Sequence, residues 1–339
     1  MEFSVHKATG FSVPRKTPLV PTTLNKTVAQ DISAGQTRNV VRSVSSPRRS
    51  GWRVWSAICF AVVLLAVFAR PLLSLIRYAA TSDLHSYTLL VPLVSAYLLY
   101  VRREQLPKNY ASDVPLGILF LLVTLASLAF TYSLDLAGQA LSVNNRIVLL
   151  TLCFLCCLVA GGFFFLGRAW MRAAAFPLGF LIFMVPMPDT MADALETASK
   201  YASAEVANIL FHLSGTPFLR AGLVFQLPNI TIEVAQACSG IRSSWVLFIT
   251  SILAANLFLR TPWRRFALVT FVIPLAILRN GFRILVIGLL CVHMGPEMIH
   301  SPIHSRGGPI FFVLSLIPLF LVLWLLGKGD ARMHQPKSR

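Results

Sequence analysis

RIVLLTLCFLCCLVAGGFFFL, residues 146–166, carries a charge at its first position and nowhere else. A run of ~20 apolar residues is what a helix needs to cross ~30 Å of hydrocarbon. The Cys-Phe-Leu-Cys-Cys stretch inside it also holds a C-x-x-C spacing. It lacks the polar strand–helix setting of a redox site, so these thiols read as small buried side chains. The run therefore reads as a membrane span, and that reading organises the rest of the chain.

Composition agrees. Of 339 residues, 56% are hydrophobic and 13% charged, which is too apolar for an ordinary soluble domain. Apolar residues are blocked into runs at about 55–77, 86–101, 116–133, 146–166, 173–188, 243–260, 266–290 and 309–327. The expectation is an all-α, polytopic membrane protein with about eight transmembrane helices. A further helix is expected over 191–215. It carries Asp193, Glu196, Lys200 and Glu205, so it reads as interfacial or pore-side.

The net charge of +17 raises nucleic acid as a partner, but its distribution argues against one. No basic segment interleaves aromatics suited to base stacking. The basic residues cluster between spans: Arg48, Arg49 and Arg53; Arg102, Arg103 and Lys108; Arg168 and Arg172; Arg260, Arg264 and Arg265; Lys328, Arg332, Lys337 and Arg339. They fall on alternate connections, as the positive-inside rule expects. An even number of spans then puts both termini in the cytoplasm. Connections 78–85, 134–145, 189–242 and 291–308 face outward.

Three regions follow. Residues 1–50, rich in Ser, Thr, Val, Pro, Arg and Lys, read as a flexible basic cytoplasmic tail. A cleaved signal peptide fits poorly, because no short apolar core follows the first basic residues. Contact with anionic lipid and plain solvation are both open for this tail. Residues 51–328 form the integral membrane part, and 329–339 a short basic cytoplasmic tail.

Six cysteines are few and poorly placed for a disulfide scaffold. Cys59, Cys153, Cys156 and Cys157 lie within apolar runs, and Cys291 sits at the outer end of the seventh span. Cys238 has a different setting, EVAQACSGIRSSW at 233–245. Before it, LVFQL and ITIEV flank Pro228 and Asn229 and read as a small outward-facing hairpin ahead of the sixth span. On a helix starting here, Cys238 and Arg242 share a face one turn apart. A nearby guanidinium and a helix start both favour thiolate, the reactive form. A disulfide with Cys291 is the alternative. Ser239, Ser243 and Ser244 have no clear base in their segment and read as helix-start or packing residues.

Two further constellations fall on the same side. In AILRNGFRILVIG, 276–288, Arg279 and Arg283 stand one turn apart with Asn280 beside them, inside the seventh span. Intramembrane charge needs internal partners or water. The competing reading is a pair of arginines reaching lipid headgroups, but the intervening Asn suggests a polar internal surface. CVHMGPEMIHSPIHSRGG, 291–308, holds three of the seven histidines. Imidazole works near neutral pH as acid and base. His293, His300, His304 and Glu297 also raise a metal site, but their spacing through Pro296 and Pro302 is irregular and no H-E-x-x-H occurs. Cysteine, arginine and histidine on one surface suit thiolate attack on a carbonyl, with an arginine stabilising the oxyanion.

ACSGIRSS at 237–244, LRNGFRI at 278–284 and HSRG at 304–307 occur in this order, with HSYTLLVPLVSAYLLYVRR at 85–103 upstream. The sequence resembles the exosortases of the exosortase/archaeosortase family over roughly 54–327. The resemblance implies a membrane-embedded cysteine transpeptidase without a cofactor. Its substrates would be membrane-anchored proteins with a C-terminal sorting signal: a motif such as Pro-Glu-Pro, a transmembrane helix, then a basic cluster. Carried over by position, Cys238 is the nucleophile, Arg283 the catalytic arginine and His304 the catalytic histidine, with Arg242, Arg279 and Asn280 supporting. One departure is Ser86 after His85, where the family usually has Gly. The 1–50 tail also extends beyond the shared region. Two other classes compete: a multi-pass transporter, for which no internal repeat of 116–188 occurs in 243–327, and a membrane-assembly protein linked to exopolysaccharide export.

Overall fold

A computed structural model describes residues 49–82, 84–138, 141–228, 230–234, 240–295, 297–298 and 308–333. From Ser50 onward they belong to one unit, Ser50–Arg339. The chain is an all-α, multi-pass membrane protein with one small sheet. Its helices are α1 (Arg49–Val67), α2 (Ala69–Thr81), α3 (Val91–Val101), α4 (Val114–Leu136), α5 (Val143–Phe165), α6 (Gly167–Ala173), α7 (Ala175–Phe180), α8 (Asp189–Ser214), α9 (Ile241–Phe258), α10 (Pro262–Met294) and α11 (Gly308–Met333). Short 3-10 turns at Ser86–Leu89 and Leu181–Met184 precede α3 and follow α7.

Among the described residues, five helices are long and apolar enough to cross a membrane: α4, α5, α9, α10 and the Gly308–Gly329 part of α11. The number rises to seven if each of two bent pairs is one span. This corrects the expected eight. The run at 55–77 is broken at Phe68, where α1 and α2 meet with a 67° bend. Pro71 explains the weakness there, since it has no N–H to give the Val67 carbonyl one turn back. The run at 173–188 ends in a 3-10 turn and leads into α8 with an 86° bend. The run at 86–101 is a 16-residue apolar segment, about 24 Å long at helical rise, short of the hydrocarbon thickness. Continuous hydrophobicity overcounted spans because it does not register where the backbone turns.

Local signals fix the ends of the long helices. The Asp113 side chain caps α4 by accepting from Leu116 N at 3.5 Å, with Pro115 in the first turn. Ser142 Oγ caps α5 by accepting from Asn145 N at 3.0 Å. Gly215 closes α8 in the left-handed conformation, φ 69°. α10 has 33 residues, about 50 Å of helix, so it outruns the hydrocarbon core.

α4 packs along α5, α8 along α10, and α9 and α11 against α10 and each other. Leu119, Leu122 and Leu125 of α4 and Ile317, Phe320 and Trp324 of α11 remain exposed, as a lipid-facing surface should. Lipid tails are as apolar as leucine, so helix association rests on close packing and internal hydrogen bonds. The α8–α10 contact uses this. Ser203, Ala204 and Ala207 of α8 are fully buried. A Cβ on Gly281 of α10 would lie 2.5 Å from Val206 Cγ1 and 3.2 Å from Ala207 N. Only glycine lets the two backbones approach this closely.

β1 (Leu219–Ala221), β2 (Val224–Leu227) and β3 (Ile230–Glu233) form an antiparallel sheet in the order β1-β2-β3. The expected hairpin is its β2–β3 half, with Val224 opposite Glu233 and Leu227 opposite Ile230. The third strand escaped the sequence reading because LRA is too short to show alternation. Phe225, Leu227 and Ile232 turn into a core with Phe211 of α8 and Ile284 and Leu285 of α10. The sheet thus sits beside the α8–α10 seam and just ahead of α9.

Candidate active site

α9 begins after Gly240, which adopts φ 64°. A Cβ there would lie 2.7 Å from Asn280 Oδ1 and 3.3 Å from Arg279 Nη2. Both the backbone conformation and the close approach of α10 therefore demand glycine. The Gly240 carbonyl is the hub of the junction. It accepts from Ser244 N at 3.0 Å, Ser244 Oγ at 2.9 Å, Ser243 Oγ at 3.1 Å and Arg279 Nη2 at 3.2 Å. Arg279 Nη2 also donates to Ser244 Oγ at 2.9 Å. Ser243 and Ser244 thus stabilise the helix start.

Asn280 is the next tie. It is 2% exposed, and its Nδ2 donates to Ser203 Oγ of α8 at 2.9 Å. Arg279, 7% exposed, keeps its Nη1 buried without a hydrogen-bond partner. Arg283 follows one turn later on α10 and is half-buried. Arg279 and Asn280 thus hold α9, α8 and α10 together, and Arg242 is exposed in the first turn of α9. Arg242 Nη2 donates to Ser86 Oγ at 3.4 Å.

That last contact brings the upstream HSYT segment to the same place. Trp245 Nε1, one turn beyond Arg242, donates to Tyr87 Oη at 2.8 Å. The 3-10 turn at Ser86–Leu89 thus touches the first turns of α9 twice. His85 lies just before it, 2% exposed, with Nδ1 3.0 Å from Ser82 Oγ and its ring 5.3 Å from that of Tyr78. Burial pushes the imidazole pKa below its ordinary value, against the opposing pull of the Asp189 carboxylate and the Met187 backbone. Burial therefore disfavours the protonated form of His85.

Cys238 and His304 lie outside the described residues, as do Ser239 and His300. Cys59, Cys153, Cys156, Cys157 and Cys291 form no disulfide among the described residues. Among the described residues no three His, Cys, Asp or Glu side chains converge as a metal-ligand set. The sequence reading missed Ser203, Tyr87 and Trp245 as parts of the junction. Tyr87 and Trp245 lie in quoted motifs but had no assigned partner. Ser203 lies in α8 and carried only the small-residue spacing Ser203, Ala204, Ala207 as a signal.

The sequence matches the family described as Transmembrane exosortase (Exosortase_EpsH) over residues 76–321, more than half of the chain. The chain belongs to the transmembrane exosortases. The matched range covers the 3-10 turn at Ser86–Leu89, the Gly240 junction and both α10 arginines. No curated protein and no solved structure matches the chain. As an exosortase, the protein performs membrane-embedded, cysteine-type processing of sorting signals and classes as a cysteine-type peptidase/transpeptidase. The transporter alternative has no support.

Proposed function

We propose that this exosortase cleaves C-terminal sorting signals with Cys238 as nucleophile, Arg283 as oxyanion partner and His304 as proton donor, at the outer face of the cytoplasmic membrane. The Cys238 thiolate attacks the scissile carbonyl. The C–N bond then breaks, His304 protonates the leaving amine, and the acyl group remains on sulfur as a thioester. An incoming amine or water forms the new bond to the carbonyl and releases the thiolate. Arg283 offers a planar fork of donors where negative charge grows on the carbonyl oxygen.

The supporting observation is the Gly240 junction. Cys238 stands two residues before Gly240, whose carbonyl accepts from Arg279. Arg279 and Arg283 share one helix, so the chain just after the thiol is tied to the helix that presents the second catalytic group. The substrate class is a membrane-anchored protein with a motif such as Pro-Glu-Pro, a transmembrane helix and a basic cluster. The outward placement is supported by the alternation of basic connections, which takes the 16-residue 86–101 segment as a crossing.

The test is Cys238→Ala with a C-terminally tagged substrate, in cells lacking any other exosortase. The variant should insert normally and leave the substrate uncleaved, and intact-mass analysis of trapped wild type should find substrate joined through Cys238. Cleavage at the wild-type rate by Cys238→Ala rejects the assignment. Reporter fusions after Arg168, Asp189, Arg265 and Gly308 should read in, out, in, out.

A further inference from the structure

A groove of about 340 Å³ opens at one end of the α4–α5 pair. Leu116 and Phe120 of α4, Phe163 of α5 and Leu178 of α7 line it, and Arg168 and Arg172 of α6 stand at its edge. Phe120 and Phe163 stack with ring centroids 5.7 Å apart and make one apolar wall. Leu116 is the third residue of α4, and Phe163 lies two residues before the end of α5. The groove therefore sits where two of the longest apolar helices end, the depth at which hydrocarbon gives way to headgroups.

The local backbone is built tightly around the two arginines. Gly167 starts α6 at φ 81°, and a Cβ there would lie 1.5 Å from the Ala111 carbonyl oxygen. Ala111 and Gly167 form a parallel bridge, and Asp113 N donates to the Phe163 carbonyl at 3.0 Å. α6 is thus pinned against the start of α4. Arg168 and Arg172, four residues apart, share a helix face. Neither belongs to the two ion pairs among the described residues, Arg146–Asp135 and Arg220–Glu205. The Asp113 carboxylate at the start of α4 accepts from Leu116 N and forms no ion pair with either arginine.

Two exposed cations that join no ion pair among the described residues, at the edge of an apolar slot, match an amphiphilic anion. We propose that this groove binds one anionic phospholipid, its phosphate on Arg168 and Arg172 and an acyl chain along Phe120 and Phe163. Guanidinium pairs suit phosphate oxygens in a bidentate manner, and the slot accepts methylenes. A free phosphate uses the arginines but leaves the slot empty, and a neutral lipid does the reverse.

Full-length protein is reconstituted in nanodiscs of phosphatidylglycerol and phosphatidylcholine in equal amounts, and the lipid retained after release is read by native mass spectrometry. Wild type should retain phosphatidylglycerol selectively. Arg168→Gln and Arg172→Gln should each reduce that retention about 5-fold, at the usual worth of one basic residue near an anionic surface. Leu116→Trp should lower retention with no change in charge, and Arg103→Gln, away from the groove, should leave it unchanged. The thermal midpoint in lipid-free detergent should be the same for all variants. Equal retention of the two lipids, or undiminished retention in the Arg168→Gln/Arg172→Gln double variant, overturns the proposal. So does stabilisation of the detergent-solubilised protein by inorganic phosphate as large as that by phosphatidylglycerol.

Discussion

Gly240→Ala tests the junction most directly, because Gly215 supplies a matched control. Both glycines are left-handed, φ 64° and 69°. An alanine in that conformation costs about 1–2 kcal/mol. At Gly215 nothing lies within 4 Å of the added Cβ, so the backbone cost is the whole effect. At Gly240 the Cβ would lie 2.7 Å from Asn280 Oδ1, so the Asn280 side chain must move. That movement breaks its 2.9 Å bond to Ser203, and both residues are buried. Unpairing buried polar groups adds about 1–3 kcal/mol. Unfolding by SDS titration in mixed micelles should therefore show a loss of about 1–2 kcal/mol for Gly215→Ala and ~2–5 kcal/mol for Gly240→Ala. Cleavage of a tagged substrate should fall at least about tenfold for Gly240→Ala, the equivalent of ~1.4 kcal/mol on the barrier, and stay near wild type for Gly215→Ala. Equal losses in the two variants would refute the idea that Asn280 locks the start of α9.

Arg283→Lys keeps the charge but loses the planar fork of donors. Turnover should fall by about 10²–10³-fold, as for a lost oxyanion donor, in a protein that still inserts; near-normal turnover moves Arg283 to a structural role. Tyr87→Phe removes the acceptor of the Trp245 Nε1 bond and should cost about 1–3 kcal/mol in the same SDS titration, whereas an unchanged midpoint shows that the contact carries no weight. His85 predicts a pH dependence, because burial holds its folded-state pKa below the ordinary value. Below about pH 6.5 the unfolded chain takes up this proton more readily than the folded one, so the stabilisation is full above that pH and lost as pH falls beneath it. His85→Gln should flatten the stability profile below about pH 6.5, and an unaltered profile rejects His85 as its source.

The fold was legible where periodicity and length act alone. The opening run became α5, and the runs at 116–133, 243–260, 266–290 and 309–327 became α4, α9, α10 and α11. It was less legible where the chain bends inside an apolar run. Apolar residues continue on both sides of Phe68, so 55–77 read as one helix, yet α1 and α2 meet at 67°. The segment 191–215 was legible as a helix whose charges set it apart from a lipid-facing span, but its 86° turn from the preceding apolar stretch was not. Bends depend on which backbone donors and acceptors find partners, and composition does not record that.

The same distinction runs through the site. Arg279 and Asn280 stood out because polar groups within a membrane helix must find internal partners, and the partners found are Gly240, Ser244 and Ser203. Their identity required three helices at once, and the charges that marked α8 as interfacial or pore-side did not single out Ser203 in it. Its small residues were the relevant signal. Ser203, Ala204 and Ala207 let α8 approach α10 at Gly281, and that proximity places the short Ser203 hydroxyl within reach of the Asn280 amide. Arg242, one turn from Cys238 in sequence, donates to Ser86 of the upstream 3-10 turn, a contact that its place in the motif did not announce. Arg279, farther away in sequence, is the guanidinium bonded to the backbone two residues after the cysteine. Spacing along one helix identifies which side chains can meet, and packing between helices decides which of them do.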